Sequence, residues 1–209
     1  LCAGTSNRDF YRFYGVPERK LVSFAFSWGY DKMIKESENF ESQPSQVKSE
    51  LGIGEDSSVI MYCGRLSKEK NVSHLLQAYR KLDIPNKSLI VVGDGEAKAS
   101  LQAYSAQHNL KSVHFVGFQD REQISKYYSI ADMLVLPSER ETWGIVISEA
   151  LCFGLPVIIS DRVGSGKDMV HYGKNGFEYP MGDIDALTDR LRRISTMPDE
   201  ERSAMKAES

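Results

Sequence analysis

Between residues 58 and 161 the chain alternates short, almost unbroken apolar runs with longer stretches of helical periodicity, and this constrains its fold more than any other feature. The runs are "SVIMYCG" (58–64), "SLIVVGDG" (88–95), "VHFVGF" (113–118), "DMLVLPS" (132–138) and "LPVIISD" (155–161). A strand with one wet face alternates apolar and polar residues, whereas near-continuous Val, Ile, Leu, Met and Phe predict strands covered on both faces. Between them, "KNVSHLLQAYRKL", "EAKASLQAYSAQHN", "REQISKYYSIA" and "GIVISEALCF" space their apolar residues mostly as helices do. Strand and helix taking turns is the pattern of right-handed βαβ units, so the expected class is α/β, a parallel sheet with helices on both faces. A weaker strand, "NGFEYP" (175–180), a helix near 183–196 and a last helix in "PDEERSAMKAE" complete the tail.

Residues 1–56 read differently. "SNRDFYRFYG" is helical, "KLVSFAF" is β-like, "ENFESQPSQ" is a polar stretch with one Pro that reads as a loop, and "SQVKSELGI" is a short helix. The expected organisation is a connector with leading helices over 1–56, followed by a domain over 57–209. The chain begins with Leu, which suggests a piece of a longer protein.

Composition narrows the partners. A formal net charge of -3 gives no whole-chain argument for nucleic acid. Cys2, Cys63 and Cys152 are too few and scattered for a disulfide framework, which favours a reducing, cytoplasmic setting. His74, His108, His114 and His171 show no ligand spacing, so no metal is expected. No apolar run approaches the ~20 residues of a membrane span, so no transmembrane segment is expected.

In open parallel sheets ligands sit beyond the carboxyl ends of the strands, so the loops there carry the candidates. After the first run, "CGRLSKEKN" offers Gly64 for a tight turn, with Arg65 and Lys70 as cations near a helix start. Two cations beside free helical N–H groups can cradle a diphosphate; the alternative is a solvated loop with ordinary surface charges. In "GDGEAK", Gly93 and Gly95 begin a G-x-G-x-x-G string, but Lys98 stands where the third glycine is due. A tight turn before a helix is the plainer explanation.

After the fourth run, "SERETWGIVISEALCF" places Glu141 just before a helix start near Gly144, and Ser148 with Glu149 as a narrow polar stripe on an otherwise apolar helix. An unpaired buried carboxylate is costly, so the stripe faces water or meets a hydrogen-bonding partner. Sugar hydroxyls are donors suited to carboxylates, which only accept. Two carboxylates and a cationic loop around one cleft would suit a molecule with hydroxyls at both ends and a diphosphate between, a nucleotide sugar.

These motifs, taken in order, resemble the retaining glycosyltransferases of family 4, also called group 1, which have the two-domain GT-B fold. "GRLSKEKNVSHLLQAY" is similar to the family's G-R-x-x-x-x-K-G-x-x-x-L-L-x-A-[FY]. "VVGDGE" and "VHFVGF" resemble its second-strand turn and third strand, and "LPSERETWGIVISEALCFGLPVIISD" its P-S-x-x-E-x-F-G-x-x-x-x-E-A-x-x-x-G-x-P-V signature. The match covers about residues 57–195, which implies the Rossmann-like C-terminal half that binds the donor. "YGVPERKLVSFAFSWGYDKM" resembles the interdomain connector, with Asp31 at a position where the family often has Asp.

The resemblance implies that Arg65 and Lys70 hold the donor diphosphate and stabilise its charge as it leaves, with no metal or other cofactor. It implies that Glu149 binds the ribose and Glu141 the transferred sugar, with backbone N–H groups around Trp143, Gly144 and Ile145 assisting. The base would lie near Gly117 and Phe118. A saccharide or lipid-linked acceptor would be held by an N-terminal half absent from this chain, in the cytoplasm or peripherally at the inner face of a membrane. Trp143 departs from the usual Phe, and Asp168 in "RVGSGKDMV" stands where Glu is commoner and receives no role. The rival expectations are a nucleotide-sugar epimerase of the same fold and a non-catalytic nucleotide-sugar binding module.

Overall fold

A computed structural model describes residues 1–24, 30–40 and 44–207 of the chain. At its start, β1 (Cys2–Ala3) and β2 (Ser23–Phe24) pair in parallel, and α1 (Gly4–Phe13) connects them. Two helices follow, α2 (Tyr30–Phe40) and α3 (Pro44–Glu50). The main unit then runs β3 (Ser58–Cys63), α4 (Val72–Lys81), β4 (Lys87–Val92), α5 (Lys98–Gln107), β5 (Val113–Gly117), α6 (Arg121–Ile130), β6 (Met133–Leu136), α7 (Ile145–Cys152) and β7 (Val157–Ser160). It closes with α8 (Gly166–Met169), β8 (Gly176–Tyr179), α9 (Ile184–Ser195) and α10 (Asp199–Ala207).

The six strands β3 to β8 form one parallel sheet in the order β5-β4-β3-β6-β7-β8. Their apolar runs predict this, because neighbouring residues on one strand point to opposite faces and both are covered. Ile60 and Met61 are each 0% exposed, as are Leu134 and Val135, and Ile158 and Ile159. Each such side chain contributes roughly 1.5–3 kcal/mol by leaving water. The helices fall into two groups: α4 packs on α5 and α9, while α2 bridges α6 and α7. Counted from β3, the order is 3-2-1-4-5-6, and the direction of winding reverses between β3 and β6. At that switch the loops leaving the two strands diverge and open a crevice.

The leading region is more helical than its sequence suggests. The stretch read as a polar loop over 38–46 is instead the end of α2 and the start of α3, with residues 41–43 outside the described residues. Tertiary packing decides this. Met33 of α2 and Val47 of α3 are buried in the same apolar core as the sheet, and that docking outweighs weak local propensity. Pro44 occupies the first position of α3, where its missing N–H costs nothing. Asp31 lies in the first turn of α2. Residues 25–29 of the connector-like stretch, including part of the β-like run, lie outside the described residues.

Candidate functional site

The loop after β3 is built against the loop after β4. Gly64 N–H donates to Val92 O at 3.0 Å, Leu66 N–H to Asp94 O at 2.8 Å, and Ala97 N–H to Leu66 O at 2.8 Å, extending the parallel pairing beyond the strands. This close approach explains the two glycines of "GDG". A Cβ on Gly93 would lie 1.9 Å from Gly64 O, and one on Gly95 would lie 2.4 Å from Leu66 O. Their spacing serves backbone packing between two loops, where the sequence suggested only a tight turn.

The loop after β6 is held from the other side. Gly164 N–H donates to Glu141 O at 2.9 Å, and the Ser165 hydroxyl donates to Trp143 O. Gly144 then turns the chain into α7 with φ of 82°, a left-handed conformation that favours glycine. Among the described residues no side chain caps α7, so N–H groups of its first turn remain open to an acceptor.

These two loops meet over the switch between β3 and β6 and enclose a cavity of about 590 Å³. Gly64, Arg65 and Lys70 line one side and Glu141, Trp143, Gly144 and Ile145 the other. The Lys70 ammonium donates to the Glu141 carboxylate at 2.5 Å, with both side chains less than one-fifth exposed. Sequence reasoning placed the two charges on opposite sides of one cleft; the structure joins them as an ion pair across it. Arg65 is exposed and forms no ion pair among the described residues, which leaves its guanidinium for an anion.

A second cavity of about 410 Å³ adjoins the first, with Cys63, Gly64 and Arg65 common to both. Phe118 lines it and is 77% exposed, a flat apolar face at its edge. Gly117 lies just behind, its carbonyl accepting from Gly93 N–H at 2.8 Å.

Glu149 lines neither cavity but stands beside their common wall. Its Oε2 accepts from the Tyr128 hydroxyl at 2.9 Å. Burial raises its carboxyl above the ordinary range, partly offset by the Tyr128 hydrogen bond and the charge of Arg121. The Cys63 thiol is pushed up to about 12, first by burial and then by the Glu149 charge. Ser148 does not share this setting. It is buried, and its hydroxyl lies 3.6 Å from the Met169 sulfur. A turn of about 100° between adjacent helical residues sends the two side chains of the supposed stripe to different surroundings.

A larger cavity, about 760 Å³, opens on the far side of Trp143 and is bounded by Ser148, Cys152, Phe24 and Tyr30. Among the described residues no Lys or Arg lines it, and the one carboxylate there, Asp168, is engaged by the Thr5 N–H at 2.8 Å and the Thr5 hydroxyl at 2.5 Å. The smaller cleft is the charged one, lined by Arg65, Lys70 and Glu141. Asp168, given no role from sequence, ties the start of α1 to α8. Among the described residues no group of three His, Cys, Asp or Glu could hold a metal ion, and no helix is long and apolar enough to cross a membrane.

Three contributors had little or no signature in the sequence. Tyr128 stands at a helical core position and shows its role only through the partner of its hydroxyl. Gly164 and Ser165 act through the backbone they hold.

Residues 45–209 match the family model described as "Glycosyl transferases group 1". The chain is 31% identical over 170 residues to the N-acetyl-alpha-D-glucosaminyl L-malate synthase of Bacillus anthracis, covering 80% of this chain and 43% of that protein. It is also 31% identical over 159 residues to a sulfoquinovosyl transferase of Arabidopsis thaliana, covering 74% and 30%. The chain thus spans less than half the length of these curated relatives. Its fold is that of a sucrose-phosphate synthase from Thermosynechococcus elongatus, with a TM-score of 0.76 at 25% identity over 99% of this chain and 53% of that one. It also matches an Anabaena protein crystallised with UDP and glucose, with a TM-score of 0.80 at 22% identity over 99% and 55%.

Proposed function

The chain belongs to the group 1 glycosyl transferases, and from that premise we propose that it is the donor-binding part of a retaining, family 4 enzyme of GT-B fold. It holds a nucleoside-diphosphate sugar for transfer to a saccharide or lipid-linked acceptor, which a further, N-terminal part of the protein would hold. The observation that carries this reading is the paired Lys70 and Glu141 over the strand switch, with Arg65 exposed beside them and the uncapped start of α7 on the other wall.

Each part has a task in this reading. Arg65, Lys70 and the first-turn N–H groups of α7 receive the diphosphate, because cations and helix N-termini both favour concentrated negative charge. Glu141 accepts hydrogen bonds from the transferred sugar, and its pairing with Lys70 keeps sugar and phosphate ends in register. Glu149 accepts from the ribose, and Phe118 offers a face on which a base can stack.

In the transfer step the acceptor oxygen bonds to the anomeric carbon on the face from which the phosphate departs. The carbon–oxygen bond to the diphosphate breaks, and a diphosphate oxygen takes the acceptor's proton. Arg65 and Lys70 stabilise the charge that builds on the leaving group, a task that requires no divalent metal. The Anabaena protein was crystallised with UDP and glucose, which makes UDP the first nucleotide to try.

Calorimetry of the 209-residue chain with UDP, GDP and ADP, in buffer containing EDTA, tests the reading. One of the three is expected to bind, and Arg65→Ala or Lys70→Ala to weaken it about tenfold, the worth of one charge-assisted hydrogen bond. Heat from none of them, or unchanged affinity in both variants, overturns it.

A further inference from the structure

Resting on the assignment of Glu149 to the ribose, we propose that Tyr128 is the positioning residue that sets the chain's preference for a ribonucleotide, by fixing the Glu149 carboxylate through its hydroxyl. Tyr128 is 0% exposed and sits on α6, while Glu149 sits on α7. The Tyr128 hydroxyl donates to Glu149 Oε2 at 2.9 Å, and Oε1 takes no hydrogen bond among the described residues. One oxygen is anchored and the other is left to accept.

The anchor is rigid. The Tyr128 ring stacks on Phe153, with centroids 5.3 Å apart and planes 23° from parallel, so its hydroxyl cannot follow a wandering carboxylate. The helix that carries it is itself pinned, since Asp120 caps α6 by accepting from the N–H groups of Glu122 and Gln123. A glutamate held this way has already lost most of its rotamer freedom, so less is lost when a hydroxyl binds it. Without the anchor it would rotate freely and discriminate poorly between a sugar with a 2′-hydroxyl and one without.

The position fits the task. Cys63 lines both cavities of the cleft, and it lies close enough to Glu149 for the carboxylate to disfavour its thiolate. Glu149 therefore stands beside the wall shared by the cavity taken for the diphosphate and the one taken for the base. A ribose joins those two groups in any nucleotide.

The experiment measures UDP, GDP and ADP and their 2′-deoxy forms, together with inorganic pyrophosphate, by calorimetry on the wild-type chain, Tyr128→Phe, Glu149→Ala and the double variant. Phe keeps the ring stack and removes only the hydroxyl, and thermal melts verify that each variant is folded. The wild type is expected to prefer the ribonucleotide about tenfold, and Tyr128→Phe to cut that preference to about twofold with pyrophosphate affinity unchanged. In the Glu149→Ala background, Tyr128→Phe should have no further effect on the preference, because the residue acts through Glu149. A full preference in Tyr128→Phe overturns the proposal, as does an equal loss for ribonucleotide, deoxynucleotide and pyrophosphate, which would mark a purely structural residue. A wild type without preference overturns the ribose assignment itself, and the proposal falls with it.

Discussion

Gly93→Ala should damage the site through the backbone alone. Its φ of 135° lies in a region that L residues rarely adopt, and the new Cβ would stand 1.9 Å from Gly64 O. The conformational strain amounts to about 1–3 kcal/mol. Relieving the overlap forces the loop after β3 away from the loop after β4, adding about 1–3 kcal/mol as overpacking does. The total is then about 2–6 kcal/mol, less the ~0.4–1 kcal/mol by which Ala lowers the entropy of the unfolded chain.

Gly52→Ala isolates the first contribution. Gly52 has φ of 67° and nothing within 4 Å of an added Cβ, so it carries conformational strain without the clash and should lose only about 1–2 kcal/mol. Urea unfolding followed by circular dichroism reads the difference, which at a slope of about 2 kcal/mol per molar separates the two midpoints by roughly 1 M. Because Arg65 follows Gly64 directly, Gly93→Ala should also weaken nucleoside diphosphate binding, while Gly52→Ala should not. Equal midpoints and equal affinities for the two variants would refute the claim that the close approach of the two loops shapes the diphosphate cradle.

Other outcomes follow from the charged groups. Glu141→Gln releases Lys70 from its partner and should leave UDP binding as tight or tighter, yet lower the affinity of a UDP-sugar relative to UDP; calorimetry with both ligands checks it, and an equal loss for both would contradict the assignment of Glu141 to the sugar. Glu149→Gln should raise the melting temperature at pH 7 while weakening ribonucleotide binding. The Glu149 pKa is raised by burial, so folding is favoured by its protonated form; that contribution is full below the unfolded pKa and is lost as pH rises through the folded one. The advantage of the Gln variant should therefore grow from pH 4 to pH 8 in thermal melts, and a constant difference would contradict it. Asp168→Ala removes the acceptor of the Thr5 N–H and hydroxyl and should loosen α1, seen as faster hydrogen exchange over residues 4–13 with that of β3 to β7 unchanged.

Much of the fold was legible in the sequence because burial on both faces leaves an unmistakable pattern. Ile60 and Met61 had to be covered on opposite sides, and a strand so covered must lie inside a sheet flanked by helices. The leading helices were less legible. Met33 of α2 is buried while its neighbour Ile34 stays exposed, so the sequence shows little apolar periodicity there, and packing on α6 and α7 is what the helix gains in the fold. Of the candidate site, Arg65, Lys70, Glu141, Trp143, Gly144 and Ile145 do line one cavity, since all lie just beyond the carboxyl ends of neighbouring strands, Ile145 as the first residue of α7. Gly117 and Glu149 stand behind that surface.

The sequence by itself determined the order of strands and helices from β3 to β7, the family, and which polar residues leave the apolar runs at the carboxyl ends of the strands. These depend on periodicity and local composition, which the linear chain carries in full. Only the tertiary structure decided which groups meet. Lys70 and Glu141 lie 71 positions apart and close to 2.5 Å, Tyr128 and Glu149 meet across two helices, and Ser148 turns away from its neighbour toward Met169. Charges and hydrogen bonds act over a few ångströms of space, and distance along the chain does not enter them.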